Sequence, residues 1–493
     1  MTTVFYKIKG QLSMQMLIYG GLITILLSGF LIWTSNIVTS DLKFSNRTMA
    51  FSIAQAGVEY YRWHLAHAPT DYQDGTGGPG PYTHDYYDKN NNLVGQFILE
   101  ITPPPEGSTI VTIKSTGKVL ADSDVEKIIE AKLGIPSFAK YAAVLNANVR
   151  FGEGTEVFGE VHSNGGVHFD GTAHNIVSSA LSEYNDPDHS GNNEFSVHTH
   201  RNAPPQTGTD SSFRPLEAPP NSPQNRNDVF LVGREFPVPA VDFTGITADL
   251  AQIKTDAQAD NRYWGPAGGS VKGYHIVLKT NDTFDIYKVN TLTSPPNGCI
   301  EVLGQQDWGT WSIETEQLLG NYTFATSGLI FVEDNVWING QINTARITIA
   351  SARFPDNPSN RPAITFNNDL LYTNYDGQDV IALIAQGNIN AGYVSEDDLR
   401  IDGALFAQNG RVGRYYYRSP SGQQQRCSPY HIRQTITLYG MLASNQRYGF
   451  AYTDGTGYQN RNLVYDPNLL YSPPPSFPLT TDSYEVLSWK ELK

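Results

Sequence analysis

Residues 11–40 read QLSMQMLIYGGLITILLSGFLIWTSNIVTS, with no Asp, Glu, Lys, Arg or His among them. A run of this length and polarity suits a bilayer-spanning helix, which needs about 20 apolar residues. Lys7 and Lys9 precede it and Asp41 follows, so the positive-inside rule keeps the first residues in the cytoplasm and exports the bulk of the chain. Gly20, Gly21, Thr24, Ser28 and Gly29 break up the Leu and Ile, and small residues let a second helix approach closely. A cleaved secretory signal has a shorter apolar part and ends at an A-x-A-like site, which "IWTSNIVTSDL" lacks. The segment reads as a retained anchor over 11–38.

The next stretch, "DLKFSNRTMAFSIAQAGVEYYRWHLAHAP", has no proline before Pro69. Leu42, Met49, Ile53, Gly57, Tyr61 and Leu65 recur at helical spacing. The membrane helix is therefore expected to run on as an amphipathic extension over 39–69.

These residues carry a resemblance. "KIKGQLSMQM" followed by a long apolar helix resembles the N-terminus of a type IV prepilin: a short basic leader (1–10), a glycine, then the mature helix. The family's membrane peptidase cuts after the glycine, which implies cleavage between Gly10 and Gln11. "MAFSIAQAGVEYYRWHLA" is similar to the corresponding region of PilX-type minor pilins, with Ala50, Phe51, Ala54, Ala56, Gly57 and Glu59 matching their alanine-rich motif and Gln55 standing where glutamate is common. Gln15 occupies the fifth mature position, where major pilins carry a glutamate that neutralises a neighbour's N-terminal amine. Glutamine accepts a hydrogen bond but cancels no charge, so a minor, tip-located or non-assembling role fits better than self-polymerisation. The resemblance covers residues 1–65, extends more faintly to 135, and implies a small sheet packed on the long helix over 70–135.

Composition narrows the remainder. Of 493 residues, 34 are Lys or Arg and 49 are Asp or Glu, giving a net charge of −15. With no basic block, nucleic acid is not an expected partner. Gly 44, Pro 29, Tyr 28 and Phe 22 point to turns and aromatic-rich strands rather than helix bundles. "TDYQDGTGGPGPYTHDYYDKNNN" reads as a loop; "LVGQFILEIT" and "STIVTIKSTGKVL" read as strands. "SDVEKIIEAKLG" fits either a capped helix or a strand, and is taken as a strand.

From about residue 136 to 470 one pattern recurs, an apolar–small–polar step, an Asn/Gly turn, then a polar–apolar step. It appears as "VHSNGGVHF" at 161, "FVEDNVWING" at 331, "LIAQGNINAG" at 383, "LFAQNGRVG" at 405 and "MLASNQRYG" at 441. Stacked coils would share an apolar interior that no single coil buries, with corner Asn and Gly supplying left-handed backbone angles. The fold class is therefore mainly β behind a long N-terminal transmembrane α-helix, with a β-helix-like ectodomain; a β-sandwich is the alternative. Irregular spacing between copies calls for inserted loops, and "DFTGITADLAQIKTDAQAD" predicts a helix over 244–259. Residues 471–493 read as an extended arm lying on the body.

Chemistry is sparse. Histidines gather between His162 and His200, and His198 and His200 share one face of a strand, yet no spacing matches a zinc signature. No metal and no cofactor is expected. Asp397, Asp398, Arg400 and Asp402, or Glu333 with Asp334, offer acidic groups but no identifiable nucleophile or paired base. "RVGRYYYR" and "NQRYGFAYTDGTGYQNR" suit either a binding surface or core strands, depending on ring exposure. Cys299 and Cys427 either pair or stay buried thiols. The expected function is a single-pass, type IV pilus-associated protein with a structural or adhesive ectodomain at the cell surface. Its expected partners are membrane lipid, other pilin subunits, the prepilin peptidase, and surface glycans or proteins of a host or neighbouring cell. The alternatives are a membrane-tethered β-helix enzyme acting on polysaccharide and a type II secretion minor pseudopilin.

Overall fold

A computed structural model describes residues 11–104, 109–243, 246–301, 309–418, 426–480 and 483–492. The leader 1–10, Gly10 included, lies outside them. The chain divides into two compact units, residues 1–103, 111–134 and 484–493, and residues 104–110 and 135–483.

The first unit is built on one helix, α1 (Gln11–His67), of 57 residues, about 85 Å at 1.5 Å per residue. Its sheet comprises β1 (Tyr82–Tyr87), β2 (Leu93–Thr102), β3 (Val111–Val119), β4 (Asp122–Gly134) and the strand Glu485–Leu492, all antiparallel and in that order. Strand alternation sets the buried face: Phe97 and Leu99 of β2, Val111 and Ile113 of β3, and Ile129, Ala131 and Leu133 of β4. The ambiguous segment at 122–134 is thus a strand. Two expectations need correction. β1 forms inside the stretch taken for a loop, because the Tyr-rich "YTHDYY" pairs with β2 despite its Gly, Pro and Asn flanks. The expected C-terminal arm also ends as a strand, with Glu485 opposite Gly134 and Leu492 opposite Ile128.

The second unit is a stack of coils joined by parallel strand pairing. One ladder runs, in spatial order, through Tyr263, Phe331, Ala350, Ile384, Phe406, Ala443, Val144, His162, Ser178 and Glu235. A second runs through Leu278, Gly340, Leu370, Ile401, Leu438, Leu463, Val157, Ala173 and Phe230. Parallel ladders are solenoid pairing, not the antiparallel pairing of a sandwich. All but Gly340 of the second row are buried apolar side chains, a continuous interior in which each Ile or Leu is worth about 1.5–3 kcal/mol of burial.

The coils do not stack in chain order. The chain enters mid-stack at Ala143–Leu145 and steps outward through Val161–Ser163, Val177–Ser179 and Arg234–Glu235. It restarts at the far end with Tyr263–Trp264 and coils back until Leu442 pairs with Ala143. An antiparallel extension, Gly273–Lys279, Thr283–Leu292 and Ile313–Thr323, interrupts the first returning coil. Helix α2 (Ile246–Ala259) lays Leu250, Ile253 and Ala257 on the outer face of the first ladder, beside Phe331 and Phe406. Before reaching the small sheet, the last segment puts Phe477 into that same apolar layer, and the Thr348 hydroxyl donates to the Pro475 carbonyl at 2.5 Å.

The corners work differently from expectation. Asn146, Asn164, Asn388, Asn409 and Asn445 all keep negative φ. Their side chains bridge coils instead: the Asn164 amide donates to Asn146 Oδ1 at 2.8 Å, and the Asn146 amide to Asn445 Oδ1 at 2.7 Å. Gly410 is required by close approach, since a Cβ there would lie 2.2 Å from Asn388 Oδ1 and 2.6 Å from the Gly387 backbone.

Candidate functional site

The site that the sequence singles out first is α1, which has two faces to the world in succession. From Leu12 to Met49 its large apolar side chains stand exposed, Leu17 at 78% and Leu26 at 71%. The helix is long and apolar enough to cross a membrane. Gln15 is exposed within this half, and Gln11 is its first described residue. A Cβ added at Gly20, Gly21 or Gly29 would meet nothing within 4 Å.

From Ala50 onward the same helix is seated. Ala50, Ile53, Ala54, Gly57, Val58, Tyr61 and Leu65 are buried, a stripe at i, i+3, i+4 and i+7. The seat is made of small residues on both sides. A Cβ on Gly57 would lie 2.3 Å from Ser115 Oγ, and one on Gly117 would lie 2.1 Å from the Ala50 carbonyl oxygen. Of the family-motif residues, Ala50, Ala54 and Gly57 therefore face the sheet. Phe51 is half-buried with its ring edge-on to Trp489 at 5.7 Å, Ala56 is half-buried, and Glu59 is exposed and pairs with Arg62 at 3.4 Å. Leu42 and Met49, expected on the packed face, are exposed because the packed stripe begins at Ala50. Sequence reading missed the partner positions Ser115 and Gly117, for which "KSTGKV" in β3 was the signal.

Past the helix end, Asp71 accepts the backbone N–H groups of Gln73 and Gly75 at 2.8 and 2.7 Å and contacts His64 Nε2 at 3.1 Å. Those bonds, the Gln73 amide first, hold its carboxyl below the usual range. Tyr61 donates to the Asp71 carbonyl at 3.0 Å, and its burial raises the phenol well above its ordinary value.

In the second unit Cys299 and Cys427 form a disulfide, Cα atoms 4.9 Å apart, walled by Tyr393, Tyr415 and Tyr417. The tyrosine-rich runs are mostly core: Tyr415, Tyr416, Tyr417, Tyr448, Phe450 and Tyr458 are buried, while Tyr452 is half-buried. The acidic groups considered for catalysis are tied to partners. Asp402 is buried against Arg400 (2.8 Å) and accepts the Tyr375 hydroxyl at 2.7 Å. Asp397 pairs with Arg433, Glu333 with Lys254 and Tyr263, and Asp334 with Arg353, while Asp398 is exposed.

Four histidines of the 162–200 stretch meet in space. His168, His189, His198 and His200 converge with Asp186 and Glu194, whereas His162 and His174 lie elsewhere, His162 bonded to Ser178 and Asn164 and His174 stacked on Phe158. His168 and His198 are register partners in adjacent coils, a relation that no linear spacing motif encodes.

No protein-family model matches the sequence, and no curated protein does. Among solved structures, the competence-associated pilin ComZ from Thermus thermophilus aligns with a TM-score of 0.30 and 14% identity, over 91% of this chain and 98% of that one.

Proposed function

We propose that this chain is a membrane-anchored, pilin-like component of a type IV pilus or related surface assembly, of the PilX-type minor class, with a structural or adhesive, non-catalytic ectodomain. One observation carries the reading: a single helix is bare and apolar through its first half and seated by small residues on an antiparallel sheet through its second. An apolar surface running from Leu12 to Val38 far exceeds the patches that a monomer leaves in water, so lipid or neighbouring helices must cover it. Gly20, Gly21 and Gly29 serve no packing within the chain, which leaves them for close approach by other pilin helices. Lys7 and Lys9 hold the N-terminus in the cytoplasm, and the ectodomain lies outside. The peptidase substrate is the Gly10–Gln11 bond.

The test is N-terminal sequencing of the mature protein from a membrane fraction. The expected chain begins at Gln11 and stays with the membrane, and Gly10→Leu blocks trimming. A freely soluble mature protein, or one that begins beyond Ser40, would overturn the proposal.

A further inference from the structure

The histidine cluster forms at one part of the coil stack from three pieces of chain. Val167–Phe169 and Val197–His198 are parallel neighbours, which sets His168 against His198 with ring centroids 4.9 Å apart. The short hairpin Glu183–Tyr184 with Glu194–Phe195 brings Asp186, His189 and Glu194 to the same place. His168, Asp186, Glu194, His198 and His200 are each no more than 1% exposed.

Two features mark the cluster as unfinished without a cation. First, the tautomers are fixed. His198 Nδ1 lies 3.0 Å from the Phe195 carbonyl and His200 Nδ1 lies 2.7 Å from the Asp210 carbonyl. A carbonyl only accepts, so in each ring Nδ1 carries the hydrogen and a neutral ring leaves Nε2 as a bare lone pair. Those bare nitrogens face carboxylate oxygens, which are also acceptors. Second, the contacts are unmade or acceptor against acceptor. His198 Nε2 stands 3.4 Å from both Asp186 Oδ2 and Glu194 Oε2. His200 Nε2, at hydrogen-bond distance, faces Glu194 Oε1 at 3.2 Å and Oε2 at 3.3 Å. His198 Nε2 is buried with no hydrogen-bond partner. Ligand atoms around a tetrahedral ion with bonds of about 2.1 Å sit about 3.4 Å from one another, close to the spacing around His198 and His200, while His168 Nδ1–Asp186 Oδ2 at 2.7 Å and His189 Nε2–Glu194 Oε2 at 2.9 Å are at hydrogen-bond distance.

We propose that His168, Asp186, His198 and His200 bind one divalent transition-metal ion of the zinc type, with Glu194 and His189 beside them. Within each of two overlapping quartets, His168–Asp186–His198–His200 and Asp186–His189–Glu194–His200, the ligand atoms lie within 4.8 Å of one another. The quartets share Asp186 and His200, so the second is an alternative four-donor set at the same place. Mixed imidazole and carboxylate donors suit zinc or a neighbouring first-row ion over calcium or magnesium, which take oxygen. The surrounding groups are those that orient ligands: Asp170 lies 2.8 Å from His168 Nε2, accepts the His200 backbone N–H at 2.8 Å, and is held by Arg150 at 3.0 Å. A centre this buried, with every donor from protein, is structural. It fastens the 183–200 segment to the coil.

The test uses the full chain in detergent, stripped with a chelator, dialysed, then incubated with Zn²⁺ or Co²⁺ and freed of excess ion by gel filtration. The wild type is expected to retain about one equivalent of zinc, to show visible Co²⁺ absorption bands, and to melt at higher temperature with zinc than without. Asp186→Asn and the double variant His198→Gln/His200→Gln should each retain less than a tenth as much, while His275→Gln, outside the cluster, keeps the full equivalent. Asp186→Asn preserves side-chain shape, and the stripped wild type alone decides the matter if both variants misfold. Zinc uptake by the wild type no greater than background, retention unchanged in the variants, or uptake of Ca²⁺ in preference to Zn²⁺ would each overturn the assignment.

Discussion

The two halves of α1 use the same residue types to opposite ends. In residues 12–49, Gly20, Gly21 and Gly29 look onto open space and the Leu and Ile around them are bare; in residues 50–67, Gly57 is pressed against Ser115 so closely that no side chain fits, and the Ala54 backbone lies so close to β3 that only glycine fits at Gly117. A small residue in a helix is thus not a statement about membranes or sheets by itself. What decides is whether a second surface meets it, and here that surface begins at Ala50.

The sharpest way to break this comparison is to place a lysine in each half. Ile53→Lys buries a charge at a fully enclosed position without a partner and should abolish the cooperative melt of the helix–sheet unit, read by circular dichroism. Leu438→Ala, in the middle of the second solenoid ladder, opens a cavity in a continuous apolar row and should cost about 2–5 kcal/mol in chemical denaturation. Leu26→Lys should leave the melt unchanged and lower membrane partitioning by about 3 kcal/mol, roughly a hundredfold, in vesicle co-sedimentation. Asn146→Ala removes two amide rungs between coils, for a loss of about 1 kcal/mol.

The smallest effect is electrostatic. Asp228 receives two bonds from Arg226, at 2.8 and 2.7 Å, and that guanidinium holds its carboxyl below the unfolded value. A depressed carboxyl contributes stability above its unfolded pKa and loses it as pH falls through the folded one. Asp228→Asn should therefore be less stable than wild type at neutral pH, and the difference should vanish as pH falls through the depressed folded-state pKa of Asp228.

Legibility followed the range of the interactions. α1 was readable because charge silence over 11–40 and the 3.6-residue period after it are both local signals. The five corner repeats were readable for the same reason, but their order in space was not: "AVLNANVRF" at 143 completes the series between the copies at 441 and 161, and only strand register reveals it. β1 was hidden by its flanks. The corner asparagines were assigned to the backbone when their work is done by side-chain amides, a distinction that composition cannot draw. The gathering of histidines between His162 and His200 was legible, but which of them converge was not, because His168, Asp186 and His198 are neighbours only after coils stack.

The out-of-order threading of the stack bears on how such a molecule folds as it is synthesised. Asn146 and Asn445 touch across a separation of 299 residues, and β4 waits for Glu485–Leu492 before its outer edge is capped. Until those late segments arrive, a nascent chain exposes unpaired strand edges in both units, so a prematurely terminated product is a sticky one, open to proteolysis and self-association.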